Sequence, residues 1–426
     1  MNITSRLAAI NTTMETWHLD IEDFIDLKRN GGEDKRRAKE LFISVSCSDL
    51  FMNRVENNEY FTLFDPYDVP ELTETYGKEF ENHYLRYESM VKEQPEYFTN
   101  TPKIIKAKDL WKKMQAMYWD TGMPFIFFKD NANRTKEEEW DYEDVGLIRS
   151  GNLCQEYLSP IKNDEITLCN LGSINLGRFD FTTDKSHKHF TDVTYSMFEF
   201  LDAITDVTTY KIPGSENVQI GRRSVGLGLA GEAELVAKKG IKYGSDEHIS
   251  FIEALYSRFK NITDNCSLDL AHNLSEPCEY SKKGFKNLHR RCIAPTSSIS
   301  IIMDTTPSVE PIFDRVWIEE NKLGKFKVVV PSLSPETWQF YQNAYDIDQK
   351  ALIIATATRQ KYIDMGISHN IYFRPETTTG KEVFDTLMYA WKQGLKTTYY
   401  MRTKSQKMEV EVRDRDSEVA CVGCAG

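Results

Sequence analysis

Apolar residues recur at helical spacing early in the chain, at Trp17, Ile21, Phe24 and Ile25. An amphipathic helix is therefore expected from Thr16 to a stop near Asn30-Gly31-Gly32. Residues 33–148 read as helix-rich and polar, anchored by aromatics such as Phe61, Phe64 and Tyr67. Glu137 to Asp144 is acidic and reads as an exposed loop or helix end. The series Val193, Met197, Leu201, Ile204 predicts another helix, as does Phe384, Leu387, Met388, Trp391, which Gly394 should stop in the C-terminal cap position. After that glycine the pattern turns strand-like, from Leu395 to Met401. Apolar, β-prone pieces such as Leu168–Leu176 and Ile299–Met303 alternate with helices through the second half, which favours an α/β architecture with largely parallel strands. No repeat period or low-complexity linker divides residues 1–403. From Lys404 the character changes: Glu409 to Glu418 is dense in charge with no apolar stripe, so 404–426 reads as a mobile tail.

Composition narrows the class. With 426 residues there is room for two average domains or one large α/β barrel. Hydrophobic residues at 40% and charged residues at 28% are ordinary for a soluble globular protein. The longest apolar runs, such as Val328–Val330, are far too short to span a membrane. Met1 to Arg6 lacks the apolar core of a signal peptide, so the expected compartment is the cytoplasm. A net charge of −12 argues against nonspecific nucleic-acid binding, while leaving room for a small phosphorylated substrate held by local donors. The cysteines are Cys47, Cys154, Cys169, Cys266, Cys278, Cys292, Cys421 and Cys424; without a secretion signal, free thiols or redox chemistry are expected rather than structural disulfides.

Five stretches carry candidate chemistry, and each alone has a plainer explanation. Asn152, Cys154 and Glu156 alternate in sequence, so extended backbone would set an amide, a thiol and a carboxylate on one face. Such a set suits hydrogen-atom or proton transfer, but equally the polar face of a half-buried strand. Cys169, in Leu168–Gly177, reads as a core thiol. Pro295, Thr296, Ser297, Ser298, Ile299 and Ser300 form a hydroxyl-rich loop that offers donors to a phosphate if a helix starts there, or else an ordinary cap. Tyr399-Tyr400 would point to opposite faces of a strand, or stack if the strand ends there. Cys421 and Cys424 suit a reversible disulfide or half of a zinc site; for the latter the nearest further ligands are His187 and His189.

Their order along the chain is far more specific than any one of them. Asn152 to Glu156, Leu168 to Gly177, Gly221 to Gly228, Pro295 to Ser300, Tyr399-Tyr400 and Cys421 to Cys424 together resemble class I ribonucleotide reductase large subunits. Further matches are Trp17 to Ile21, Phe64 to Pro70, and Gln360 to Asp364 leading to Ile367-Ser368, so the likeness spans nearly the whole chain. The resemblance implies a ten-stranded α/β barrel whose central finger loop, about 150–160, bears the radical. It implies that Cys154 is the thiyl residue removing the ribose 3′ hydrogen, with Glu156 taking the 3′-hydroxyl proton and Asn152 holding the ribose hydroxyls. Cys169 would be one of two reducing thiols, and Pro295 to Ser300 would bind the substrate phosphates. Tyr399 and Tyr400 would carry the radical from a metal-containing small (beta) subunit, the large subunit binding no metal itself. Cys421 and Cys424 would re-reduce the site before thioredoxin or glutaredoxin restores them. The implied substrates are nucleoside diphosphates, with ATP and deoxynucleoside triphosphates as allosteric effectors.

The pattern also departs from the family. The upstream helical domain, often an ATP cone, and the first barrel strands with the second reducing thiol have no counterpart here. The opening Ser5-Arg6-Leu7-Ala8-Ala9 resembles the effector loop, with Arg6 as its base-contacting arginine, although Leu7 stands where glycine is common. The expectation is one chain of a split large subunit, completed by an N-terminal polypeptide and inactive alone; an expressed fragment is the competing explanation. Rival readings are a non-catalytic scaffold subunit, a cobalamin-dependent reductase sharing the Asn-x-Cys-x-Glu core and, least favoured, a glycyl-radical enzyme.

Overall fold

The computed structural model describes residues 9–134, 139–273, 277–321 and 324–404. Its strands, in chain order, are β1 (Asn11–Glu15), β2 (Phe42–Cys47), β3 (Tyr60–Leu63), β4 (Lys103–Lys106), β5 (Phe125–Phe128) and β6 (Leu171–Asn175). They continue with β7 (Gly226–Ala230), β8 (Val316–Asn321), β9 (Gly324–Val329), β10 (Ile371–Phe373), β11 (Thr397–Thr398) and β12 (Met401–Thr403).

Most of these form one hydrogen-bonded wall. β1 pairs in parallel with β2, Asn11 opposite Phe42, and β2 in parallel with β5. β11 pairs antiparallel with β5, Thr397 opposite Phe127. The chain runs on into β12, parallel to β10, and the same pairing is extended by the Tyr399 amide to the His369 carbonyl (2.7 Å) and the Ile371 amide to the Tyr400 carbonyl (2.9 Å). Parallel bridges then join Ile367 to Ile293 and Arg291 to Leu227, and β7 pairs in parallel with β6. Among the described residues no ladder joins β1 to β6, so the wall is open along those two edges.

Two-residue alternation in β2 explains which way the wall faces. Ile43, Val45 and Cys47 enter an apolar cluster with Phe51, Phe61 and Trp111, while Ser44 and Ser46 take the opposite, inner face, also fully buried. Behind the wall, helices are started by side-chain caps: Ser48 accepts from the Phe51 amide (3.2 Å) at Asp49–Glu56, and Thr379 from the Glu382 amide (3.2 Å) at Gly380–Lys392. A second apolar cluster lies between the helices Asp184–Val207 and Asp246–Asn273, through Phe190, Phe198, Phe259 and Ile262. A buried polar knot sits beside it. Glu232, next after Gly231 at the end of β7, accepts from Arg359 Nε (3.0 Å) and Tyr256 Oη (3.0 Å), with His248 Nε2 at 3.0 Å.

The α/β reading with largely parallel strands holds, as do the helices at 193–204 and 384–391, the latter followed by Gly394 at φ +80°. Several local expectations do not. The first helix spans only Ile21–Asp26, because Thr16 still belongs to the wall through its amide bond to the Ser46 carbonyl (3.0 Å). Residues 33–148 are helix-rich as expected, with Gly77–Glu93 and Ala107–Thr121 the longest helices, but they also hold β2 to β5, of which β2, β3 and β5 are largely buried; Phe61 and Phe64 are buried anchors, whereas Tyr67 is exposed. Ile299–Ile302 lies in a helix, Ser297–Ile302, which Met303 caps, not in a strand: Thr296 adopts a left-handed φ of +51° and its carbonyl accepts from the Ser300 amide (2.9 Å), turning the run helical. The acidic stretch is described from Glu139 on, where Tyr142–Val145 is a short helix.

Candidate active site

The segment from Leu147 to Ile161 leaves and rejoins the structure at one antiparallel bridge between those two residues. Asn133 secures its root, accepting from the Ile148 amide (3.0 Å) and donating to the Ile148 carbonyl (2.9 Å). Its tip is a turn, not the extended strand that alternate spacing predicted. Gln155 adopts φ +66°, and the Gln155 amide donates to the Asn152 carbonyl at 3.1 Å. Asn152 Nδ2 donates to Glu156 Oε1 (2.9 Å) while Asn152 Oδ1 accepts from the Tyr157 amide (3.0 Å). The turn thus joins Asn152 to Glu156, and Cys154 meets a different partner.

Three elements of the wall grip this tip. The Gly366 amide donates to the Glu156 carbonyl (2.7 Å), Thr397 Oγ1 to the Gln155 carbonyl (3.0 Å), and Gln155 Nε2 to Ser44 Oγ (3.1 Å). The approach at 366 needs glycine: a Cβ there would stand 2.6 Å from the Gln155 carbonyl oxygen. Ser368 Oγ completes the grip, 2.6 Å from the Cys154 carbonyl oxygen and 3.1 Å from Glu156 Oε2.

Held this way, Cys154 is buried with its sulfur 3.6 Å from the Tyr399 hydroxyl, which donates to it. The Tyr399 and Tyr400 rings touch with centroids 4.2 Å apart, tilted by 54° rather than stacked. Phe125 from β5 wedges against both, at 4.7 and 4.9 Å. The strand does break there, between β11 and β12, so adjacent tyrosines can meet instead of facing opposite ways. Tyr118 Oη locks the break by donating to the Tyr399 carbonyl (2.6 Å).

Glu156 is almost fully buried, and burial pushes its carboxyl above the ordinary range, with the Asn152 and Ser368 donors pulling it back. Cys169 precedes β6 and is exposed as a residue, on the side where the wall is open. Crowding around its sulfur, with Glu156 nearby, pushes the thiol up to about 12 against a hydrogen bond from the Asn152 side chain. Solvent at so open a residue screens part of that push, yet the thiol remains protonated at neutral pH, the state in which it can deliver hydrogen. Asn152, Glu156 and Cys169 therefore converge, with Cys154 on the same loop tip and the tyrosine pair packed against it from the break between β11 and β12.

Pro295 to Ser300 follow directly from the wall residues 291–293, neighbours of Ile367 and Ser368. Thr296 Oγ1 accepts from the Ser308 amide (2.7 Å), which sets the left-handed start of the short helix. Arg6, Cys421 and Cys424 lie outside the described residues. His187 and His189 pack against Phe181 and Phe179, and among the described residues no group of His, Cys, Asp or Glu is placed to hold a metal. Also among them, no helix is long and apolar enough to cross a membrane. Sequence reasoning missed Gly366, Thr397, Phe125 and the role of Ser368. Only the Ile367-Ser368 match hinted at the last, because each acts through contacts distant in sequence.

A family model for the ribonucleotide reductase barrel domain matches residues 2–280 and 272–401. The chain belongs to the ribonucleotide reductase large-subunit family. It is 35% identical to the ribonucleoside-diphosphate reductase subunit alpha of Helicobacter pylori (strain ATCC 700392 / 26695), over 99% of this chain and 64% of that protein. It is 30% identical to the subunit of the same name from Chlamydia pneumoniae, over 94% of this chain and 45% of that protein. It is 27% identical to the large subunit of Danio rerio, over 94% and 57%. The chain thus spans less than two thirds of the length of these curated relatives.

Proposed function

We propose that this chain houses the radical chemistry of a class I ribonucleoside-diphosphate reductase. The observation that carries the proposal is the 3.6 Å contact between the Tyr399 hydroxyl and the Cys154 sulfur, with Asn152, Glu156 and Cys169 gathered beside it. A hydrogen atom passes from a thiol to a neighbouring phenoxyl only over such a contact. Cys154, once a thiyl radical, takes the 3′ hydrogen of a nucleoside-diphosphate ribose, and Glu156 accepts the 3′-hydroxyl proton. The 2′ hydroxyl leaves as water, and Cys169 with a second thiol supplies two electrons and two protons, becoming a disulfide. The 3′ hydrogen then returns from Cys154 and the proton held by Glu156 returns to the 3′ oxygen, so the thiyl radical and the carboxylate are both regenerated. Burial suits Glu156 to this task, because a raised carboxyl pKa brings a carboxylate nearer to a useful base.

The tyrosine pair supports a radical delivered from a separate small subunit rather than from cobalamin. Pro295 to Ser300, at the end of the 291–293 wall segment, is the proposed phosphate site. The open edges at β1 and β6 favour completion by further barrel strands that also bring the second thiol, whether from the same polypeptide or another. On this reading Cys421 and Cys424 reload the disulfide from a thioredoxin or glutaredoxin, Arg6 reports the effector, and the work is cytoplasmic.

The test is an assay of deoxynucleoside-diphosphate formation with the small subunit and the upstream strands present. Tyr399→Phe keeps the ring and removes the O–H, so turnover is expected to fall at least about a hundredfold with substrate binding unchanged. Wild-type turnover in that variant would remove Tyr399 from the path.

A further inference from the structure

Ser368 stands where one hydrogen is claimed twice. The residue is fully buried, and its Oγ reaches both the Cys154 carbonyl oxygen (2.6 Å) and Glu156 Oε2 (3.1 Å). A hydroxyl has one hydrogen to donate and lone pairs to accept. While Glu156 is ionised, both oxygens are acceptors and compete for it, and the charged one gains more from it. Once Glu156 is protonated the competition ends. Asn152 Nδ2 already donates to Oε1 (2.9 Å), and an amide NH₂ cannot accept, so the acid proton belongs on Oε2, facing Ser368. That O–H donates to Ser368 Oγ, whose own hydrogen is freed for the Cys154 carbonyl.

We propose that Ser368 is a proton-responsive positioning residue: its hydroxyl turns between Glu156 and the Cys154 backbone, so that ionisation of the base is registered at the thiol-bearing residue. The inference rests on the catalytic reading above and adds a link between its two halves. Under that reading, uptake of the 3′-hydroxyl proton by Glu156 and tightening of the Cys154 backbone are one event. The loop tip then stays fixed at the moment when the 3′ carbon and the Cys154 sulfur must remain in register.

Other groups facing Glu156 do not compete for this titration. Cys169, before β6, is pushed up to about 12, and Cys292, on the 291–293 segment, is pushed well up by burial with Glu156 and Cys169 adding to it. Tyr157 on the loop is raised by burial, and His369, next to Ser368, is pushed down to about 3 by burial and Arg359. These four stay neutral around neutral pH.

Carbon-13 NMR of the purified chain tests the link without turnover. Glutamate Cδ and cysteine carbonyl labels are assigned at 156 and 154 by the signals lost in Glu156→Gln and Cys154→Ser. In the wild type, the Cys154 carbonyl signal is expected to move with pH at the Glu156 midpoint. In Ser368→Ala it should lose that response, and the Glu156 midpoint should rise by about one pH unit, as removal of one hydrogen bond to a carboxylate implies. Ser368→Thr, which keeps the hydroxyl, should restore both. A wild-type Cys154 carbonyl that ignores the Glu156 titration, or a response that survives in Ser368→Ala, overturns the proposal. Failure of the catalytic reading shows elsewhere, as an active complex indifferent to loss of the Cys154 thiol.

Discussion

Cys154→Ser is expected to abolish ribonucleotide reduction in the assembled enzyme while leaving the chain folded. An alcohol O–H is much stronger than a thiol S–H, so the Tyr399 phenoxyl cannot take its hydrogen. The expected fall is at least about a thousandfold, equivalent to ~4 kcal/mol of lost barrier lowering. Structure should hardly notice. Serine is near in size to cysteine, and the Tyr399 hydroxyl that now donates to sulfur at 3.6 Å can donate to an alcohol oxygen, so a stability change within about 1 kcal/mol is expected. The paired measurements are product formation from a labelled nucleoside diphosphate and the thermal midpoint of the variant. Full activity would return the chain to the role of a scaffold subunit and remove the basis for every step assigned to the loop.

The largest expected effect on stability lies in the buried knot behind the wall. Arg359, Glu232 and His248 are each nearly inaccessible to water, and Arg359 also donates to Tyr243 Oη (2.7 Å). Arg359→Met removes the cation and leaves a buried carboxylate, which should cost about 3–5 kcal/mol, read as a lower urea midpoint. Adding Glu232→Gln should recover a large part, because the uncompensated charge is then gone; no recovery would mean the arginine acts through packing alone. The wild type should also weaken in acid. Burial would push Glu232 up, but Arg359 and His248 overcome this and hold it down to about 2. An unfolded glutamate titrates near ~4.3, so between about pH 4.3 and 2 the unfolded chain binds more protons and stability falls with pH. His248, lowered by burial, adds the same sign, since an unfolded histidine is protonated first below about 6.5. Arg359→Met should flatten the lower part of this profile.

The knot matters to the site through its place in the chain. Arg359 closes the helix Gln349–Gln360, and the next residues lead straight into Gly366 and Ser368, which grip the loop tip. A loss of register there would reach the Cys154 backbone through Gly366 and Ser368.

Much of this was legible in the residue order, though not always for the right local reason. Asn152, Cys154 and Glu156 were picked out by an argument from extended backbone, whereas a left-handed Gln155 folds them into a turn that unites the amide and carboxylate. The two tyrosines meet because the strand breaks between β11 and β12, a break held by Tyr118 from a helix far upstream. Ile299–Met303 shows the usual ambiguity of a short apolar run, which fits strand or helix until its first residue chooses a dihedral angle. Thr16 was drawn into a predicted helix by the spacing of its neighbours, and the amide bond to Ser46 outweighed that local pattern.

By itself the sequence determined the family, through thiols, a carboxylate, an amide and paired phenols set in a specific order along the chain. It also determined the α/β class, since alternating apolar strands and amphipathic helices bury their faces in only a few ways. Which of those groups touch was decided only in three dimensions. Contacts of about 3 Å depend on a single turn at Gln155 and on pairings between residues as far apart as Ser44, Gln155 and Thr397. Neither short-range periodicity nor composition carries that information, because it arises when distant segments exclude water together and must satisfy one another's polar groups.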